Sequence, residues 1–156
     1  MKKIIFFLLL TIVTSTIAQI KVGDKLPTIK LEDATEQEVF ISANQAQYTL
    51  VDFWASWCSI CRKANKDLVK LSSVTSKTDL KIIGISLDAD KTKWVKAIEK
   101  DGIDYMQLND PNGFEANTAL QFGVEQLPAT YLFDKSGKLI AINPTPTEII
   151  NILKLN

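Results

Sequence analysis

The segment Tyr48-Thr49-Leu50-Val51-Asp52-Phe53-Trp54-Ala55-Ser56-Trp57-Cys58-Ser59-Ile60-Cys61 decides how the rest of the chain is read. Tyr48 to Trp54 is apolar and rich in β-formers, which suits a strand buried on both faces. From Ser59 to about Ser76, residues Ile60, Ala64, Leu68, Leu71 and Thr75 recur at spacings of three and four, the period of a helix. A buried strand therefore gives way to a helix at the cysteines. C-x-x-C spacing at a helix start puts both sulfurs on one face, one turn apart and within bonding reach. The free N–H groups and positive dipole end of that helix favour a thiolate at the first cysteine. Such settings lower a thiol pKa from about 8.5 to about 3.5–7.5. Cys58 is the expected nucleophile, and Cys61, one turn inside the helix, the more buried resolving thiol. A purely structural disulfide would stabilise little across so short a loop. Half of a zinc site would need partners, and the chain has no further Cys and no His.

Working outward, Thr28 to Leu31 and Val39 to Ile41 are short strand candidates around the polar turn Asp33 to Gln37, an N-terminal β-hairpin. Leu80 to Leu87 reads as a second buried strand. Thr92 to Lys100 reads as a helix with Trp94, Val95 and Ile98 on one side. A further helix is expected from Phe114 to Phe122, introduced by Asp110-Pro111-Asn112-Gly113 and stopped by Gly123. Thr130 to Phe133 and Lys138 to Ile142 form a hairpin across Asp134 to Gly137. The last helix opens at Thr145-Pro146-Thr147-Glu148, with Thr145 as cap, Pro146 in the first turn and Glu148 completing a capping box. The order predicts an α/β fold, a mixed sheet flanked by helices around one core.

Composition narrows the chemistry further. The chain has 156 residues, 46% hydrophobic and 23% charged, with 18 Lys+Arg against 18 Asp+Glu. That describes one globular domain. Without histidine there is no Ser-His or Cys-His catalytic pair and no His-ligated metal. A neutral chain with no basic run past its first residues argues against nucleic acid as a partner. Met1-Lys2-Lys3, the apolar run Ile4 to Val13 and the small Ala18 match a secretory signal peptide over residues 1–18. The run is too short to cross about 30 Å of hydrocarbon as a helix; an uncleaved N-terminal anchor is the competing reading. Cleavage after Ala18 leaves one domain, residues 19–156, that is mildly acidic because Lys2 and Lys3 are gone. The expected location is periplasmic or secreted, where disulfides persist.

The active-site segment Leu50 to Cys61 resembles that of the thioredoxin superfamily, and the longer pattern resembles its secreted TlpA/ResA-type thiol-disulfide oxidoreductases. Lys21-Val22-Gly23-Asp24-Lys25-Leu26-Pro27 is similar to that family's opening. Trp94 to Phe122 falls where the family carries a helix-containing insert, and Leu127-Pro128-Ala129-Thr130 matches its proline loop. The resemblance implies a thioredoxin fold with the dithiol at the start of a long helix. It also places Asp52 as the buried carboxylate that moves a proton at Cys61. Burial should raise the Asp52 pKa, which suits a base near neutrality; a plain hydrogen-bonding role is the alternative. By the same resemblance Pro128 is cis and faces the dithiol, exposing the Leu127 peptide group to an extended substrate segment. Trp54 reads as core, and Trp57 as an apolar rim beside the nucleophile.

Departures matter for direction. Where the family often has Glu and Pro after the second cysteine, this chain has Ala64 and Lys66. Ser59-Ile60 matches neither the strongly reducing nor the strongly oxidising dipeptides, so the redox poise is open. Arg62 and Lys63 either add positive charge near the thiols or face water. Asp88, Asp90, Thr92 and Glu99 mimic a calcium-loop frame, but Lys93 stands where glycine is needed. The two aspartates read instead as strand-end and helix-cap residues. Together these point to an extracytoplasmic thiol-disulfide oxidoreductase that reduces protein disulfides as a monomer, with no cofactor or metal. The resemblance implies a membrane thiol-electron relay as its reductant. A peroxiredoxin-like peroxide reductase and a non-catalytic thioredoxin-fold binding module are the other readings.

Overall fold

The computed structural model describes residues 19–42 and 47–154. The expected signal segment, residues 1–18, lies outside the described residues. Seven strands form one sheet in the order β2-β1-β5-β4-β3-β6-β7. They are β1 (Ile29–Asp33), β2 (Glu38–Ile41), β3 (Tyr48–Trp54), β4 (Leu80–Ser86), β5 (Met106–Asn109), β6 (Ala129–Phe133) and β7 (Leu139–Ile142). Four helices flank it: α1 (Ser59–Val74), α2 (Lys91–Asp101), α3 (Asn117–Phe122) and α4 (Pro146–Lys154). This is the mixed, helix-flanked sheet expected for a thioredoxin fold.

Strand β3 is buried along its whole length, because it pairs in parallel with β4 and antiparallel with β6 and is covered on both faces. Its side chains alternate between two cores. Val51 and Phe53 join Ile83, Ile85, Phe122, Tyr131 and Phe133 on one side. Phe122 anchors that side, with ring centroids 5.0 Å from both Phe53 and Tyr131. Leu50 packs with Leu68 and Leu71 of α1 on the opposite side, and Trp54 with Cys61, Trp94 and Ala97. Each fully buried side chain of this size contributes roughly 1.5–3 kcal/mol.

The helix ends follow their capping chemistry. Asp90 caps α2 by accepting the Lys93 N–H at 3.1 Å, and Gly102 closes it in the left-handed region at φ 67°. For α4, Thr145 Oγ1 accepts the Glu148 N–H at 3.3 Å while Glu148 Oε2 accepts the Thr145 N–H at 2.7 Å, the expected capping box.

Two features differ from the sequence reading. Strand β5 has no counterpart in the sequence reading: Met-Gln-Leu-Asn alternates apolar and polar residues, but over only four positions and with no β-branched or aromatic residue. It forms because β4 offers a parallel edge and β1 an antiparallel one. The insert thus supplies a strand as well as α2, and through it joins the N-terminal hairpin to the sheet. The single helix expected from Phe114 to Phe122 is split: a 3-10 turn at Gly113–Glu115, an extended Ala116, then α3. Asp110 explains the break. Its carboxylate accepts from the Thr118 N–H at 3.3 Å and hydroxyl at 2.7 Å, so α3 begins afresh there.

Candidate active site

At the end of β3 the chain turns through Ala55, Ser56 and Trp57, and Cys58 becomes the N-cap of α1. Its Sγ accepts the Cys61 N–H at 3.2 Å. Cys58 and Cys61 are bonded as a disulfide, with Cα atoms 5.2 Å apart. Cys58 is half-buried, whereas Cys61 is 1% exposed within the Trp54–Trp94–Ala97 cluster. No acidic residue stands in the first turn of α1, so nothing there opposes a negative charge on Cys58.

The turn before Cys58 is held by a residue whose part was not evident from sequence. Buried Asp88, just past β4, accepts the Ser56 N–H at 2.7 Å and hydroxyl at 2.6 Å, and also the Ser86 hydroxyl at 2.7 Å. Asn109 of β5 donates to the Asp88 carbonyl at 2.9 Å. Asp88 is thus the strand-end residue anticipated, and it fixes the loop that presents Cys58.

Arg62 neither adds charge at the sulfurs nor simply faces water. Its guanidinium forks onto Asp101 of α2: Nη2 to Oδ1 is 2.7 Å, and Nε also contacts Oδ2. Asn65 adds a bond to Oδ2 at 3.0 Å. Burial pushes the Asp101 carboxyl up, but hydrogen bonds from Arg62 and Asn65 and the arginine's charge outweigh it, so its pKa lies below the ordinary value. The same carboxylate holds the Arg62 pKa up. Asn65 interrupts the apolar stripe Cys61–Leu68 at helical spacing, a sequence sign of an inward polar side chain.

Asp52 lies on the α1 face of β3, 1% exposed, and neither oxygen has a hydrogen-bond partner. Desolvation raises its pKa from 3.8 to about 7. It lines a cleft of about 240 Å³ with Ala64, Asp67 and Leu68 of α1, Pro128 and Thr130, and Asn143 to Pro146. Ala64, the departure noted from the sequence where the resembling family often has Glu, therefore lines the same cleft as Asp52. The Leu127–Pro128 peptide is cis. Leu127 packs on the cluster that holds Cys61 and Cys58, so the proline loop and the dithiol are neighbours. Trp57 is 59% exposed and packs against Phe114 from the 3-10 turn, with ring centroids 6.4 Å apart and the planes tilted by 60°. With Ile60, also exposed, they make an apolar margin around Cys58; Phe114 had no sequence signal for this place. Trp54 is fully buried.

Among the described residues no group of three His, Cys, Asp or Glu could hold a metal ion, and no helix is long and apolar enough to cross a membrane.

A central sheet with a C-x-x-C disulfide capping the helix after β3, and a cis-proline loop beside it, defines a thioredoxin-fold protein. Residues 22–142 match the AhpC/TSA family, and the chain belongs to it. It is similar to thiol-disulfide oxidoreductase ResA of Geobacillus thermodenitrificans, at 25% identity over 89% of this chain and 83% of that protein. It is also similar to thiol:disulfide interchange protein DsbE of Escherichia coli, at 28% identity over 74% of this chain and 61% of the relative. Among solved structures, a thiol-disulfide oxidoreductase from Bacteroides fragilis superposes with a TM-score of 0.76 at 30% identity, covering 85% of this chain and 98% of that one.

Proposed function

We propose that this protein is an extracytoplasmic thiol-disulfide oxidoreductase that reduces disulfides in protein substrates. The observation that carries the reading is the half-buried Cys58 at the N-terminus of α1, bonded to buried Cys61; the buried, partnerless carboxylate of Asp52 on the α1 face of β3 supports it. In the reduced protein the Cys61 N–H that now faces Sγ, and the positive end of the α1 dipole, favour a Cys58 thiolate. That thiolate attacks one sulfur of a substrate disulfide; a mixed disulfide forms and the other substrate sulfur leaves as a thiolate, taking a proton from water. Ionised Asp52 then accepts the Cys61 proton, directly or through water. The Cys61 thiolate attacks Cys58 Sγ, and the second substrate sulfur is expelled. Two electrons have passed to the substrate, and the protein is left with the Cys58–Cys61 disulfide. Return to the dithiol requires an external dithiol reductant, for which we propose a membrane thiol relay.

Trp57, Leu127 and Pro128 form the docking margin, with the Leu127 backbone available to an extended segment of substrate. Residues 1–18 act as the export signal, and Gln19 begins the mature domain. Peroxide reduction is disfavoured because the chain's sole arginine, Arg62, is committed to Asp101 and not to Cys58.

Insulin reduction and glutathione-coupled turnover test the proposal. Wild type is expected to turn over, Cys58→Ser to be inactive, and Cys61→Ser to accumulate a mixed disulfide on Cys58. Full activity of Cys58→Ser would leave the dithiol without a role. A Cys58–Cys61 potential near about −270 mV fits a reductase, whereas one near about −120 mV makes the protein an oxidant.

A further inference from the structure

Three neighbouring strands set one row beneath α1: Asp52 on β3, Gly84 on β4 and Gln107 on β5 are register partners in turn. Gly84 adds no side chain to this row, and the Gln107 carboxamide fills the place. A Cβ on residue 84 would lie 2.3 Å from Gln107 Nε2 and 2.5 Å from Oε1. The amide is therefore carried across β4 toward β3, and stands about one strand spacing (~4.8 Å) from the Asp52 row position.

Its orientation is set by Trp54. The indole N–H can only donate, and it donates to Gln107 Oε1 at 2.9 Å. The Nε2 end, with two N–H donors, is left buried and without a hydrogen-bond partner, as are both Asp52 oxygens. A neutral carboxyl makes little demand on such a donor. An ionised carboxylate makes a large one, because a buried charge with no donor is costly.

We infer that Gln107 is the positioning residue for Asp52, its Trp54-oriented side-chain amide offering N–H donors to the ionised carboxylate across the space above Gly84. The inference rests on the reading of Asp52 as the base for Cys61. Gln107 touches no reacting atom; it acts by favouring the form of Asp52 that accepts the Cys61 proton.

The other ionisable groups around Asp52 are few. Asp67 of α1 lines the same cleft. Tyr105 lies close enough to be affected by the Asp52 charge, and burial, the larger cause, keeps its phenol neutral. Asp101 is held ionised by Arg62 and Asn65. Glu148 of α4 is tied to Thr145 at the cleft wall. β4 presents only Gly84 in this row, and the cleft residues from β6 and the proline loop, Thr130 and Pro128, do not ionise. The remaining groups are the two cysteines. A change at Gln107 alters none of these.

The test is single-turnover release of thionitrobenzoate. Reduced protein and Ellman's reagent form the aryl mixed disulfide on Cys58, and attack by Cys61 then frees the second aryl thiolate, whose absorbance reports the resolving step across pH. Wild type is expected to show a limb rising through the Asp52 pKa. Gln107→Met should move that limb up by about one unit while keeping the alkaline plateau. Asp52→Asn should abolish the limb, and Gln107→Met should add nothing in that background. If Gln107→Met does not fold, Gln107→Asn, too short to reach across Gly84, should give the same upward shift. Should Asp52→Asn abolish the limb while the Gln107 variants overlay wild type, the positioning role is wrong and the base role stands. Persistence of the wild-type limb in Asp52→Asn removes the base role, and the inference with it.

Discussion

Asp52 should impose a measurable dependence of stability on pH. Both its oxygens are buried without partners, and its pKa rises from 3.8 in water to about 7 in the folded protein. In the unfolded chain the carboxyl loses its proton as pH passes 3.8, whereas the folded chain keeps it until about 7. Between those values the folded state binds more protons, so stability falls as pH rises, by up to about 1.36 kcal/mol per unit. Below about 3.8 the stabilisation is fully present, and above about 7 it has been lost. The interval amounts to about 4 kcal/mol, a large share of a typical domain's stability. Asp52→Asn has nearly the same shape and no charge, and any cost of its buried amide is constant with pH. Urea denaturation of the oxidised proteins, with the disulfide intact, should therefore give a stability difference, variant minus wild type, that grows by about 4 kcal/mol from pH 3.5 to pH 8. The other carboxylates titrate alike in both proteins and cancel. A difference that stays flat across this range would refute the reasoning, since it would mean that Asp52 is already ionised at ordinary cost in the fold.

Two further substitutions test the packing around the site. Arg62→Ala leaves Asp101, whose side chain is 4% exposed, without its fork; a loss of about 3 kcal/mol in chemical denaturation is expected, and a loss under about 1 kcal/mol would show that water replaces the arginine. Gly84→Ala drives a methyl into the Gln107 amide and should cost about 1–3 kcal/mol. Placing it on Gln107→Ala should recover at least about 1 kcal/mol of that, and a purely additive double variant would contradict the close approach.

The site was legible where local chemistry determines structure. An apolar strand running into C-x-x-C, a Thr-x-x-Glu box and glycines after helical stretches all act over a few residues, and the fold has β3, the caps and the dithiol where they point. What stayed hidden depends on partners far along the chain. Met106 to Asn109 carries only a four-residue alternation without β-branched residues, and becomes a strand between β4 and β1. Ala116 is an ordinary helix former that goes extended because Asp110 caps the residues after it. Arg62 reads either as a charge near the thiols or as a solvated first-turn side chain until Asp101, 39 residues later, comes beside it. Nothing near Ser56 announces that Asp88 holds its turn, nor does anything near Phe114 foretell its contact with Trp57.

Strand β5 gives the insert a reach beyond its own length. Two of its residues reach the dithiol region: Gln107 bonds the indole of Trp54, and Asn109 bonds the carbonyl of the residue that tethers the Cys58 loop. Glu32 and Asp33 of the N-terminal hairpin also pair with it. The insert therefore behaves as a cassette. Exchanging Lys91 to Asn109 between scaffolds of this fold would retune the environment of an unchanged C-x-x-C segment, and would carry the docking edge for the hairpin along with it. In engineering terms, the C-x-x-C segment and part of the shell that holds it sit on stretches of the chain that are far apart in sequence.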